Sequence, residues 1–266
     1  GVIIGNANDA CVVFAEEISG SEKDFVKLMN EKASQLGMKN TVFTDCKGTG
    51  EGNQRSTAYD MALLTKELIK YDFLIPYMTT YTDELRNGKT QLVNTNSLVR
   101  SYDGILGVKS GYSNKTGYSL SVAAKRGDSV FISVVIGYEE KEDTSKIGKS
   151  LLDKGFLSYE TIIPAVPKEL MTGVKVKGGT AENVLVKPEN LSDTIIPIGC
   201  YNDIEYKINL PEYVEAPVEK NQKIGDITYL LYDDEIYRTS IIASDSVDEM
   251  TFFNALLILL KSTISF

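Results

Sequence analysis

The chain has 266 residues, 42% of them hydrophobic and 24% charged, enough for a sizeable core under a soluble surface. Its net charge of −9 argues against a nucleic-acid partner, whose phosphates favour a basic surface. The absence of histidine excludes His-based triads and His-bearing metal sites. The three cysteines, Cys11, Cys46 and Cys200, are widely spaced and form no C-x-x-C, so they offer neither a zinc site nor a disulfide framework.

The chain opens on GVIIGNANDA, an apolar run followed by a small polar cluster. Residues 10–36 then predict helix: Val12, Val13, Ile18, Phe25, Val26, Leu28, Met29 and Leu36 form a broken stripe of period 3.6, and Leu36-Gly37 is a stop signal. Asn8 or Asp9 would serve as a simple N-cap to it. Residues 41–56 are Gly-rich and polar, as in a loop, and Ser56-Thr57 offers a cap to the amphipathic helix of AYDMALLTKELIKY.

From Gly104 the period changes. Three antiparallel strands are predicted over 105–111, 118–125 and 129–138, with a turn at Lys125–Asp128. A helix over 143–154 follows, burying Ile147, Leu151 and Leu152. Helices, then antiparallel strands, then a helix make an α+β domain. Residues 160–245 are rich in Pro, Val and Ile in strand-length runs, which predicts a small all-β module with a turn at Asp233-Asp234. The apolar run Phe252–Leu260 is too short to span a bilayer. It is either an interfacial amphipathic helix or a terminal helix docked on the β module.

The stretch GVKSGYSNKTGYSLSVAAKRG carries the strongest chemical signal. Lys109-Ser110-Gly111 on a predicted strand has a bland reading, a solvated edge blunted by a lysine. Its other reading is a substrate-binding edge, where Gly111 permits close approach of another backbone and Tyr112 offers an amide N–H.

In this context the chain resembles the serine D-alanyl-D-alanine carboxypeptidases, the low-molecular-weight penicillin-binding proteins, whose three motifs are S-x-x-K, S-x-N and K-[ST]-G. Lys109-Ser110-Gly111 matches the third motif, and Asn6-Ala7-Asn8 stands at the second. STAYDMALLTKELIK resembles a helix between the two, and the β-rich module and tail also fit the family's layout. The resemblance implies a penicillin-binding/β-lactamase-like transpeptidase domain over 1–157, a β-rich domain over 158–248 and an amphipathic helix over 249–266.

The resemblance further implies acyl transfer. A serine attacks the D-Ala-D-Ala amide of a peptidoglycan stem peptide, with a lysine as base, so neither histidine, metal nor cofactor is needed. Asn6, Asn8 and Lys109 would be the catalytic positions. Asn8 would hold the substrate backbone and Lys109 would supply positive potential. Ser110, Gly111 and Tyr112 would bind substrate: the Ser110 hydroxyl at the carboxylate, the Tyr112 amide as one arm of the oxyanion hole. β-Lactams would bind a complete site, residues 250–266 would offer a membrane contact, and the location would be the outer face of the cytoplasmic membrane.

Three departures accompany these matches. No S-x-x-K occurs in the chain, so the nucleophile is expected upstream of Gly1. Asn6 replaces the second-motif serine with an amide that cannot relay protons. Between Gly137 and Leu151 there are lysines, Lys141, Lys146 and Lys149, but no Arg for a bidentate carboxylate contact. Two readings follow: a D,D-carboxypeptidase whose N-terminal portion is not in this sequence, or a catalytically inactive cell-wall or membrane-associated binding relative. A β-rich structural adaptor would account for 160–245 but not for the K-S-G hairpin.

Overall fold

The computed structural model describes residues 1–49 and 52–256, which divide along the chain into two units between Ser158 and Tyr159. The first unit begins with α1 (Val2–Gly5), α2 (Asn8–Ser19) and α3 (Glu22–Gln35). The predicted helix over 10–36 is therefore two helices. Gly20 takes φ +76°, which ends α2, and the Ser21 side chain accepts a bond from the Asp24 amide to start α3. The expected apolar stripe is only partly used: α2 buries Ala15 and leaves Val13, Phe14 and Ile18 exposed.

The predicted cap of the next helix, α4 (Ala58–Leu68), is present, with Thr57 Oγ1 accepting from the Asp60 amide at 3.1 Å. Asp60 is buried, and its Oδ2 accepts from the Asn40 amide at 2.8 Å and from Thr41 Oγ1 at 2.7 Å. The Gly-rich loop is thereby anchored to α4. Next come α5 (Ile75–Thr79) and a short hairpin of β1 (Thr82–Leu85) and β2 (Thr90–Val93).

The three predicted strands are β3 (Ile105–Ser113), β4 (Gly117–Arg126) and β5 (Ser129–Tyr138), in sheet order β3-β4-β5, all antiparallel. They precede α6 (Lys141–Ser158). Alternation along β4 serves two cores. Leu120, Val122 and Ala124 pack with Leu98, Tyr102 and Leu152 of α6, while Ala123 packs with Met78 and Val108 on the other face. Ser121, on that second face, is buried and bonded to Thr65 of α4, Oγ to Oγ1 at 2.6 Å. Both faces of β4 are thus covered, and it is buried without a break from Leu120 to Ala124.

One expectation for α6 is corrected. Leu152 is buried but Leu151 is 47% exposed, because the buried row is Thr144, Gly148 and Leu152 at a spacing of four. A Cβ at Gly148 would lie 3.1 Å from Leu120 Cδ2, so glycine is what lets α6 sit this close to β4.

The second unit is all-β apart from short 3₁₀ turns and the last helical residues. Its strands are β6 (Tyr159–Ile162), β7 (Val174–Lys177), β8 (Asn183–Val184), β9 (Val186–Pro188), β10 (Thr194–Pro197), β11 (Ile204–Asn209), β12 (Tyr213–Glu215), β13 (Lys223–Leu231) and β14 (Asp234–Ala243). They form sheets ordered β11-β13-β14-β9, β12-β7-β8 and β10-β6. One core, including Val174, Val184, Val218, Ile227, Tyr229 and Ile241, serves the unit. The turn between β13 and β14 is Tyr232-Asp233, both at positive φ, one residue earlier than predicted; Asp234 already belongs to β14. Of the expected C-terminal helix, residues 252–256 are helical and Phe252 is 87% exposed. Residues 257–266 lie outside the described residues. No described helix is long and apolar enough to cross a membrane.

Candidate functional site

β3 is an edge strand, and Lys109, Ser110, Gly111 and Tyr112 lie on it opposite Ser121, Leu120, Ser119 and Tyr118 of β4. The period of two divides them between the faces of the sheet: Ser110 and Tyr112 on one, Lys109 and Gly111 on the other. Tyr112 is 58% exposed and lies against Tyr118, with ring centroids 4.5 Å apart.

The opposite wall is the junction of α1 and α2. Asn6 sits there at φ 52°, ψ 38°, the left-handed region that asparagine tolerates better than most residues, and it ends α1. Its Nδ2 donates to Thr95 Oγ1 at 3.4 Å, and Ser110 Oγ donates to the same oxygen at 2.6 Å. The second- and third-motif positions therefore meet on one hydroxyl. Thr95 is held by two buried asparagines. Asn94 Nδ2 donates to the carbonyls of Met78 and Thr80, Asn94 Oδ1 accepts from the Asn96 amide, and Asn96 Oδ1 accepts from the Leu98 amide. A cavity of about 80 Å³ opens here, lined by Asn6, Thr95, Ser110, Gly111, Tyr112 and Lys141 and floored by the first turn of α6.

Lys109 points away from this cavity. Its ammonium donates to the Ile3 carbonyl of α1 at 2.6 Å, and burial pushes its pKa down from 10.5 to about 8, opposed weakly by the nearby Cys11 thiol. Burial in turn pushes Cys11 up, and Lys109 is the main effect opposing that rise. All three cysteines are free thiols.

Asn8 stands apart from the cluster. It is the first residue of α2, exposed, and does not line the cavity. Nor does it cap the helix: the cap position is Ala7, without a side-chain bond, and Asp9 Oδ1 accepts only from the adjacent Ala10 amide at 2.9 Å. Sequence reasoning missed Thr95. Its one signal was the Asn94-Thr95-Asn96 triplet, since paired asparagines often fix turns through their own backbone. Lys141, weighed only as one of three lysines, is the one that reaches the cavity. Among the described residues, no three His, Cys, Asp or Glu side chains are grouped to hold a metal ion.

Comparison with known proteins places the chain in a family. Residues 1–140 match the family described as D-alanyl-D-alanine carboxypeptidase, and residues 159–249 match the C-terminal domain of penicillin-binding protein 5. The chain is 38% identical over 248 residues to the D-alanyl-D-alanine carboxypeptidase DacF of Bacillus subtilis, covering 92% of this chain and 64% of that protein. It is 33% identical over 255 residues to DacC of Escherichia coli, covering 95% of this chain and 64% of that protein. It thus spans just under two thirds of the length of these relatives. Penicillin-binding protein 5 of Haemophilus influenzae superposes with a TM-score of 0.80 at 30% identity, over 94% of this chain and 73% of that structure.

Proposed function

Because the chain belongs to the D-alanyl-D-alanine carboxypeptidase family, we propose that its cleft forms two walls of a site that trims the terminal D-Ala from peptidoglycan stem peptides. The observation that carries this reading is the convergence of Asn6 and Ser110 on the Thr95 hydroxyl, beside the open edge of β3.

In the proposed reaction a serine hydroxyl attacks the carbonyl carbon between the two D-alanines. The lysine one turn later takes its proton and passes it to the departing nitrogen. The C–N bond breaks, D-Ala leaves, and water then cleaves the ester to regenerate the serine. The 266 residues contain no S-x-x-K, so both nucleophile and base must come from outside this sequence. What the chain supplies is recognition. The substrate lies along the β3 edge as an added strand, the Tyr112 amide faces the developing oxyanion, and the Ser110 hydroxyl and Lys141 ammonium receive the terminal carboxylate. Gly111 leaves room for that approach, since a Cβ there would meet nothing within 4 Å. Lys109 contributes positive potential from behind the strand, and Asn8 binds the peptide backbone from the head of α2. The same cleft would take β-lactams, and the exposed Phe252 and Phe253 would contact a membrane at the outer face of the cytoplasmic membrane.

A second reading, an inert binding relative, is favoured by Asn6, whose amide cannot relay a proton. One experiment separates the two: fuse the S-x-x-K-bearing segment of the Bacillus subtilis relative ahead of Gly1, then assay fluorescent-penicillin labelling and D-Ala release. The fused protein should be labelled and the 266-residue chain alone should not. If only the fused Asn6→Ser variant is labelled, the inert reading holds. Labelling of the unfused chain, or of neither fused form, would refute the assignment of the cleft.

A further inference from the structure

A second cavity, of about 410 Å³, lies in the β-rich unit on the outer face of the β12-β7-β8 sheet. The register sets Lys175 opposite both Asn183 of β8 and Tyr213 of β12, which makes a row of three across the sheet. Val174, Val184 and Val214 of the same strands join the core, so this row is the solvent side. Lys177, two residues along, is a diagonal neighbour of Tyr213, and its ammonium sits 3.0 Å from the Tyr213 ring centroid. Glu182 and Glu212 complete the lining.

The charges here are not spent on one another. Among the described residues, none of Lys175, Lys177, Glu182 and Glu212 takes part in an ion pair, although all four line one cavity. Two ammoniums, two carboxylates, an amide and an aromatic ring thus converge on one concave surface, and among the described residues the only hydrogen bond, ion pair or ring contact between these side chains is Lys177 on the Tyr213 ring. A polyanion would meet the glutamates, a polycation would meet the lysines, and a neutral sugar would desolvate four charges without compensation. The complementary ligand carries both signs.

We propose that this face is a second binding site, for a zwitterionic cell-wall peptide bearing free carboxylates and a free ammonium. The carboxylates would pair with Lys175 and Lys177, the ammonium with Glu182 and Glu212, while Tyr213 covers the apolar stem and Asn183 bonds a peptide group. The site would hold the polymer on the β-rich unit independently of the cleft. It rests on the family reading only for where such a peptide is met.

The test uses the full 266-residue chain and a soluble muramyl tripeptide ending in diaminopimelate. This probe has both charges but no D-Ala-D-Ala, so failure here leaves the cleft assignment standing. Titration followed by calorimetry and amide chemical shifts should show saturable binding, with shifts on β7 and β12. The Lys175→Ala/Lys177→Ala pair should weaken it about tenfold or more, as loss of charge-assisted bonds does. The Glu182→Gln/Glu212→Gln pair should weaken the parent probe but not its N-acetylated form. All these side chains are exposed, so the variants should keep their fold, checked by circular dichroism. No saturable binding, unchanged affinity in the lysine pair, or shifts gathered at Ser110 and Tyr112 would each overturn the proposal.

Discussion

Lys109 is a cation held where water is scarce, and replacing it with methionine should make the protein more stable at neutral pH. The fall from 10.5 to about 8 corresponds to about 3 kcal/mol of penalty on the charged form, or about 2 kcal/mol after discounting for partial exposure. The folded-state value lies below the unfolded one, so between about pH 8 and 10.5 the unfolded chain holds the proton and the folded chain does not. Stability from this group therefore rises with pH across that window, and the full penalty is present below about pH 8. Lys109→Met removes the penalty and also the bond to the Ile3 carbonyl, worth about 1 kcal/mol, so the expected net gain at pH 7 is about 1 kcal/mol. Other lysines, tyrosines and cysteines titrate in the same range, so the informative quantity is variant minus wild type. Urea unfolding at pH 7, 9 and 10 should show that difference shrinking and reversing sign as pH rises. A difference independent of pH would refute the claim that burial of this charge controls its titration.

Thr95→Val leaves Ser110 Oγ and Asn6 Nδ2 without their shared acceptor, and should cost about 1 kcal/mol in chemical unfolding. An unchanged midpoint would mean that the two walls are not joined there. Gly148→Val drives a branched side chain into Leu120 and Val122 and should lower stability by about 1–3 kcal/mol in thermal melts; a neutral result would show that α6 can move off the sheet. Cys46 is pushed up to about 11 by burial and by the Glu22 carboxylate, whose Oε1 accepts from Sγ at 3.3 Å. At pH 8 its thiolate fraction should be about a thousandth, so site-resolved iodoacetamide labelling should be slow in the folded chain and faster in Glu22→Gln.

The hairpins of β3 to β5 were legible because β-branched runs separated by short polar turns have little else to do, and the edge position of Lys109-Ser110-Gly111 followed from their order. The stretch from 70 to 104 was silent for a physical reason. β1 is exposed at all four positions, so it carries no alternation; the buried apolar residues Met78, Leu98 and Tyr102 are too far apart to set a period, and the buried residues that flank Thr95, Asn94 and Asn96, are polar. Asn94 bonds two carbonyls and the Asn96 amide, and Asn96 Oδ1 accepts from the Leu98 amide, contacts that no count of apolar spacing detects. Periodicity also ran straight through Gly20, because a stripe that continues on both sides of a left-handed glycine looks unbroken in one dimension. Asn6 was found only through motif spacing. Its left-handed backbone, which turns the amide toward Thr95, is invisible until the junction of α1 and α2 is seen.

The bond from Lys109 to the Ile3 carbonyl joins residues 106 apart in the chain and ties the third-motif strand to α1. α1 is a single turn whose own ladder is the Gly5 amide to the Gly1 carbonyl at 2.9 Å, so the lysine is a principal tether of that turn. Losing the Lys109 bond should loosen the turn, and the cost should appear as faster hydrogen exchange at the Gly5 amide in Lys109→Met than in the wild type.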